Sequence, residues 1–224
     1  MKMYLKLLAL LVIVGLVTSC TKEPPENTFG VSPSATDVLA GSAVDYSISG
    51  TADFITFYSG IEGSRWEMYP EEKGVTVDIS NSNVFSKVYN KQGEFTSTFV
   101  ASSYGNWAED EETVIKEFQI TVTDKRTGIA SFSIITGSIL SGYKEWQGTI
   151  NTDNNTVVVE VSAGTNVTNA IAQVLTDSED AVVKVKGAVF ENKKTKLDYS
   201  SPQTFKITAP DGSTANWTVT VVEV

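Results

Sequence analysis

The aromatic side chains that fall outside regular alternation are the residues of this sequence whose types best suit a binding site. They occur in three stretches, which contain Trp66 and Tyr69, Tyr104 and Trp107, and Tyr143 and Trp146. A flat ring offers a surface to the apolar C–H side of a pyranose, and neighbouring amides and carboxylates bond the hydroxyl groups at its rim. These six residues are therefore candidate ligand contacts, and the ligand class that they suit is a sugar.

Each of these rings has an alternative role, which is to close one end of a β-sandwich as part of its core. Trp107 is the preferred ligand contact, because its stretch of Gly, Asn and Trp leads into a run of acidic residues and has little core character. Trp217 is the opposite case, since it alternates with Val219 and Val221 in an apolar strand pattern. We predict that Trp217 lies in the core.

The carboxylates offer little evidence of a catalytic or metal site. The acidic run at residues 109–112 suggests a hard cation such as calcium, but its spacing matches no EF-hand loop, and a solvated charge run is the favoured interpretation. Asp177, Glu179 and Asp180 are interpreted in the same way. A glycosidase needs two carboxylates at a fixed separation across a cleft, and the sequence points to no such pair. The chain also contains no His, the commonest general base. We predict no enzyme activity, no metal and no cofactor.

The charge of the chain excludes one class of partner. Its 224 residues include 17 Lys and Arg against 27 Asp and Glu. Loss of residues 1–19 would remove two lysines and leave a net charge of about −12. Such a body repels the phosphates of nucleic acid and the headgroups of anionic lipids. We therefore expect neither nucleic-acid binding nor docking on an anionic membrane surface.

The first twenty residues have the composition of a secretory signal. Two lysines precede an apolar run at residues 7–17, which is too short to span a bilayer comfortably. Small Thr18 and Ser19 then precede Cys20, the only cysteine of the chain. The stretch resembles a bacterial lipoprotein signal, and the resemblance implies cleavage before Cys20 and lipid attachment to it. The alternative is a plain secretory signal followed by an incidental cysteine.

The segment at residues 20–28 is predicted to be a tether. Pro24 and Pro25 favour an extended polyproline arm between the lipidated cysteine and the folded part of the chain. Lys22 and Glu23 resemble the short export signal of Bacteroidota surface lipoproteins. This resemblance implies an address on the outer face of the outer membrane. A linker with charges at random is the competing interpretation, and it would leave the protein facing the periplasm.

The remainder of the chain shows the period-two alternation of β-strands and no sustained helical period. We predict an all-β protein with two tandem antiparallel β-sandwich domains, at residues 29–124 and 129–224, joined by a linker at residues 125–128. A C-terminal hairpin with an Asp-Gly turn is predicted around Asp211 and Gly212. The short linker limits the freedom of the two domains to reorient.

Two family resemblances support this division. Residues 54–60, residues 88–95 and the strand at 118–124 resemble the PKD-like domains of Bacteroidota surface lipoproteins. Residues 161–168 and the closing segment at 205–217 resemble the Ig-like or cadherin-like domains of the same lipoproteins. The resemblance implies display on the cell surface, and such proteins are often encoded beside glycan-uptake systems.

These observations predict a lipid-anchored, non-catalytic glycan-binding accessory of a polysaccharide-uptake system. Its expected partners are the membrane through the lipid anchor, a polysaccharide, and an outer-membrane transporter complex. The polymer would be held by Trp107 together with Trp66 or Trp146. The alternative, from a different class, is a structural or adhesive module that contacts another protein through a sheet edge or sandwich end. A diverged hydrolase is a third and less favoured interpretation.

Overall fold

The computed structural model describes residues 26–105, 110–138 and 142–224, and in this part the protein is all-β. One 3₁₀ turn, Trp66–Met68, is the only helical element in the described ranges, and no helix there is long and apolar enough to cross a membrane. The predicted fold class is confirmed. The predicted lipidation site Cys20 and the predicted ligand contact Trp107 lie outside the described residues.

Eight strands come from residues 30–123. They are Gly30–Pro33 (β1), Asp37–Leu39 (β2), Ala43–Ser49 (β3), Phe54–Tyr58 (β4), Val75–Thr76 (β5), Val84–Val88 (β6), Gly93–Tyr104 (β7) and Glu111–Thr123 (β8). They form a three-stranded sheet in the order β1-β3-β6 and a five-stranded sheet in the order β2-β8-β7-β4-β5. Strand β2 pairs in parallel with β8, whereas β1–β3, β4–β5 and β4–β7 pair antiparallel. One edge of the five-stranded sheet is therefore parallel.

Aromatic residues fill the core that these two sheets share. Strand β3 alternates strictly, so that Val44, Tyr46 and Ile48 are buried while the residues between them are exposed. The Tyr46 ring lies 5.5 Å from that of Phe57 and 5.0 Å from that of Phe99, and its hydroxyl donates to Ser97 Oγ at 3.0 Å. This packing turns one face of β4 and β7 inward and leaves their other face outward.

Nine further strands form one long sheet. They are Ile129–Ser138 (β9), Gly142–Asn151 (β10), Thr156–Val161 (β11), Ala170–Thr176 (β12), Val182–Val185 (β13), Ala188–Val189 (β14), Lys196–Leu197 (β15), Gln203–Thr208 (β16) and Thr214–Glu223 (β17). Their order is β14-β13-β16-β17-β11-β10-β9-β12-β15. The β11–β17 pair is parallel, because β17 returns beside β11 after the hairpin with β16. The other pairs of this sheet are antiparallel.

Strand β10 allows this sheet to curl around its own core. Its first half, Gly142 to Gln147, pairs with β9, and its second half, Gly148 to Asn151, pairs with β11. Gly148 lies at the change of partner, where a Cβ would stand 2.5 Å from Val157 Cγ1. Only a residue without a side chain allows the strand to pass so close to the core at this bend.

The C-terminal hairpin and the buried Trp217 are both confirmed. Strands β16 and β17 pair antiparallel around a turn in which Gly212 has a φ of 91° and Asp211 Oδ1 accepts the Ser213 amide at 2.8 Å. Trp217 is 1% exposed, and its indole N–H donates to the Thr127 carbonyl at 2.9 Å. It packs in a core that also contains Phe132 and Phe205.

Two compact units are evident from the contacts within the chain. In the described residues, the first unit comprises 26–34, Asp45–Ser86, 96–105 and 110–119. The second comprises Ala35–Val44, Lys87–Phe95 and the described part of Ile120–Val224. The domain boundaries at residues 124 and 129 remain a prediction.

Candidate functional site

Strand β4 carries apolar side chains on both of its faces. Ile55 and Phe57 point into the core, and the two-residue period places Phe54, Thr56 and Tyr58 on the outward face of the five-stranded sheet. The Phe54 side chain is 60% exposed. A strand that buries one face and still presents aromatic rings on the other has more apolar surface than its core requires.

The loop that follows β4 covers one end of this outward face with two more rings. The Trp66 ring lies 5.2 Å from that of Tyr58, and the Tyr69 ring stacks on Trp66 at 5.3 Å with 30° between their planes. Tyr58 is buried beneath this stack, and burial raises the pKa of its hydroxyl. Trp66 is partly buried, whereas Tyr69 is 60% exposed. The stack is therefore anchored at Tyr58 and open at Tyr69.

An ion pair closes the loop around this stack. Arg65 donates from its backbone N–H to Glu72 Oε2 at 2.8 Å and from Nε to Oε1 at 2.9 Å, and its Nη2 also bonds Oε1. The Arg65 guanidinium holds the pKa of the Glu72 carboxyl at about 2, well below its usual value. Trp66 and Tyr69 both lie between the two partners in sequence, so the pair holds the ends of the segment that carries them.

The other end of the outward face carries a second aromatic pair. The ring of Tyr104, the last residue of β7, contacts that of Phe54 edge to face at 5.9 Å. The Tyr104 amide donates to Asp53 Oδ2 at 2.8 Å, and its hydroxyl donates to Glu111 Oε1 at 3.4 Å. The lack of alternation around Tyr104 indicates a loop, and this interpretation is wrong because β7 continues to Tyr104. The adjoining stretch with Trp107 lies outside the described residues.

We call the residues Phe54, Tyr58, Trp66, Tyr69 and Tyr104 the aromatic face. Its two groups of rings stand at opposite ends of β4, and the four residue-to-residue steps from Phe54 to Tyr58 span about 13 Å along the strand. Phe54 was not predicted as a candidate. Its signal in the sequence is the run Phe-Ile-Thr-Phe-Tyr, in which alternation places aromatic residues on both faces.

The third predicted stretch does not join this face. Tyr143 and Trp146 belong to strand β10, although their stretch of sequence lacks regular alternation. They lie three positions apart, so they point to opposite faces of the strand. The Trp146 indole packs partly buried against the core, donates to Thr136 Oγ1 at 2.9 Å and lies 3.7 Å from Lys144 Nζ. The Tyr143 side chain is 63% exposed, and it forms no ring pair with the aromatic residues that the structure describes.

The acidic residues form no metal site in the part of the chain that the structure describes, where no group of three or more His, Cys, Asp or Glu side chains could hold an ion. Glu111 and Glu112 begin strand β8 and are exposed, and Glu109 lies outside the described residues. Glu179 lies 3.7 Å from Lys91 Nζ, with both side chains well exposed.

The second unit contains an apolar groove of about 390 Å³. It lies between strands β12 and β13, where Leu175, Val182 and Val189 are exposed and Phe190 forms part of its lining. The amide of Asn192 bonds both the N–H and the carbonyl of Val174, at 2.6 and 2.9 Å, and so covers the edge of β12. The groove holds apolar side chains at its mouth and no stacked rings.

Comparison with known proteins finds relatives for both halves of the chain. Residues 129–221 match the family model described as SGBP, N-terminal. Residues 19–99 match a family described as a domain of unknown function, DUF5017. No curated protein matches the chain.

One solved structure similar to part of the chain is the crystal structure of a protein from Bacteroides fragilis described as secreted. It is 17% identical and covers 44% of this chain and 96% of its own. Its TM-score of 0.34 is too low to support a common fold. The predicted resemblances to PKD-like and to Ig-like or cadherin-like domains stay predictions, since none of these matches tests them.

Proposed function

We propose that this protein is a non-catalytic, lipid-anchored glycan-binding protein of the bacterial cell surface, an accessory of a polysaccharide-uptake system. The observation that carries the proposal is the aromatic face, where exposed rings stand at both ends of one strand. Rings at two positions on one sheet suit a ligand that repeats along its length, because each ring takes the apolar side of one sugar.

The match of residues 129–221 to the SGBP family supports the same class of function, since these initials denote a surface glycan-binding protein. The matched residues lie in the second unit, whereas the aromatic face lies in the first. We assign the ligand contacts to the first unit, because its rings are stacked and exposed there. The second unit then supports or presents the binding unit.

The address of the protein is part of the proposal. Cys20 carries the lipid, residues 20–28 form the tether, and the folded part faces outward from the outer membrane. In this position the protein would hold polymer beside an outer-membrane transporter complex. The combination favours capture of a substrate over its chemical conversion.

Affinity electrophoresis tests the binding function. The mature chain with Cys20→Ser, which carries no lipid, is run in gels that contain neutral polysaccharides such as starch, galactomannan, xyloglucan and arabinoxylan. We expect retardation in at least one gel. In that gel Tyr69→Ala and Phe54→Ala should each weaken binding about tenfold, because each removes a stacking surface worth about 1.4 kcal/mol.

Two variants complete the design. Leu175→Ala serves as the control, because this side chain is similarly exposed, at 57%, and lies in the second unit. It should leave the retardation unchanged. If Tyr143→Ala abolishes retardation while the variants of the aromatic face do not, the binding site lies elsewhere and our assignment is wrong. Retardation in none of the gels would favour the adhesive alternative.

A further inference from the structure

The first unit is strongly acidic, and the second is close to balanced. The described residues of the first unit include twelve Asp and Glu but only three Lys and Arg. The described residues of the second unit include thirteen Asp and Glu with eleven Lys and Arg. The net charge of the chain is therefore concentrated in the unit that carries the aromatic face.

Acidic side chains lie directly beside the rings. Asp53 bonds the Tyr104 amide, Glu111 accepts the Tyr104 hydroxyl, and Glu67 neighbours Trp66 within the 3₁₀ turn. Strand alternation places Glu117 on the same side of β8 as Glu111, and both are exposed. Carboxylates thus stand at both ends of the aromatic face.

The basic residues of the unit do not offset these charges. Among its described residues, Arg65 is held by Glu72, and Lys116 points to the opposite side of β8 from Glu111 and Glu117. This leaves Lys73, which lies in the loop beside the ion pair. An anionic group on a ligand would face several carboxylates, with Lys73 as the one remaining basic residue among the described residues of the unit.

We infer that the ligand of the aromatic face is a polysaccharide without anionic groups, and this inference rests on the proposed function. Carboxylate oxygens accept hydrogen bonds from sugar hydroxyls, so the acidic rim suits an uncharged polymer rich in hydroxyl donors. Uronates and sulfate esters would bring negative charge among the carboxylates, and like charges repel within about 10 Å at moderate salt. The charge of the face selects against polyanions, whereas its rings bind the sugar.

A matched pair of polymers tests this inference. The neutral polysaccharide that retards the mature Cys20→Ser chain is compared with the same polymer after part of its primary hydroxyl groups has been oxidised to carboxylates. We expect the oxidised polymer to bind at least tenfold more weakly at low salt. The difference should shrink in 0.5 M NaCl, because salt screens the repulsion.

Variants assign the selectivity to the face. The triple variant Glu67→Gln, Glu111→Gln, Glu117→Gln should bind the oxidised polymer more tightly than the parent chain does. The matched triple variant Glu160→Gln, Glu191→Gln, Glu223→Gln changes as many charges in the second unit and should discriminate as the parent does. Equal binding of both polymers by the parent chain, or unchanged discrimination by the first triple variant, would overturn the inference.

The two levels of the proposal fail in different ways. A panel of anionic polymers, namely polygalacturonate, alginate and chondroitin sulfate, is run beside the neutral gels. Retardation by an anionic polymer alone overturns the inference and leaves glycan binding standing. Retardation in no gel of either kind overturns the proposed function, and the inference falls with it.

Discussion

At the scale of single residues, the Arg65–Glu72 pair decides how well the aromatic stack is ordered. Its bonds use both the backbone N–H and the guanidinium of Arg65, so the carboxylate holds the start and the end of the segment. An ordered platform binds more tightly, because a ligand does not have to immobilise the rings itself.

Glu72→Gln should weaken polysaccharide binding about threefold to tenfold, because immobilising a side chain costs about 0.5–1.5 kcal/mol and the variant moves that cost into the binding step. Affinity electrophoresis measures the loss. Glu191→Gln is the matched control, since it removes an exposed ion pair with Lys194 in the second unit. Binding by Glu72→Gln equal to that of the parent chain would show that the pair does not order the stack.

The pH dependence of this pair follows from its pKa. The Glu72 carboxyl titrates near pH 2 in the folded chain, below the ordinary value of about 4.3. Its contribution is therefore complete above about pH 5 and is lost as the pH falls through about 2. The ion pair is intact across any neutral or mildly acidic surface environment.

Sequence reasoning identified part of the aromatic face at this scale. Trp66 and Tyr69 were predicted because they are aromatic residues in a stretch without strand alternation. Their stacking, and the burial of Tyr58 beneath them, depends on how the loop folds back over β4. Alternation gives no information about that return, since it describes only neighbours in one strand.

At the scale of elements, the segment between β8 and β9 is tied down by one carboxylate. Asp124 is 1% exposed, accepts bonds from Arg126 Nε and Nη2 at 2.9 and 2.7 Å, and accepts the Ser178 hydroxyl at 2.7 Å. The Arg126 guanidinium, and to a smaller extent Ser178, holds the pKa of Asp124 at about 2, although burial acts in the other direction. All three residues belong to the second unit.

Asp124→Asn should lower the free energy of unfolding by about 2 kcal/mol at pH 7, because a buried charge pair loses one partner and three charge-assisted bonds are weakened. Thermal or urea unfolding measures the change. The stabilisation in the parent chain is present above about pH 4, the ordinary range of Asp, and is lost as the pH falls through about 2.

Asp180→Asn is the control for this prediction, since its carboxylate is exposed, and it should change stability by less than about 0.5 kcal/mol. The difference between the parent chain and Asp124→Asn should also vanish near pH 2. A difference that is constant from pH 7 to pH 2 would assign the effect to packing and not to the charge of Asp124.

The C-terminal hairpin of β16 and β17 was predicted from its Asp-Gly turn, and the structure confirms it. The extent of the long strands was not predicted. Strand β7 extends to Tyr104 and β10 includes Tyr143 and Trp146, although their sequences break the simple alternation. Strand β10 also changes partner at Gly148, and Trp146 and Ile150, on either side of that change, both pack against the core.

At the scale of the whole molecule, the proposal depends on the lipid at Cys20. Acyl chains anchor a protein by burying methylene groups, each worth about 0.8 kcal/mol, so loss of the attachment site should release the chain. Cys20→Ala should therefore leave the membrane fraction for the soluble fraction on cell fractionation. Continued sedimentation of Cys20→Ala with membranes would contradict lipid anchoring.

Digestion of intact cells with external protease distinguishes a protein on the outer face of the outer membrane from one that faces the periplasm. A chain that faces outward should be degraded while a periplasmic marker protein survives. A chain that survives until the outer membrane is opened would instead face the periplasm. The same Cys20→Ala chain, purified, should bind polysaccharide as the parent does, because the anchor lies outside the proposed binding unit.

The amino-acid sequence by itself determined the all-β class, the acidic character and the identity of much of the core. These are local or additive properties, since alternation assigns each strand its buried face and charge sums over residues. The tertiary structure alone decided that Phe54 meets Tyr104, that Trp66 and Tyr69 cover Tyr58, and that Tyr143 and Trp146 separate. Those contacts depend on strand order and on the return of a loop, which are set by packing between residues far apart in the chain.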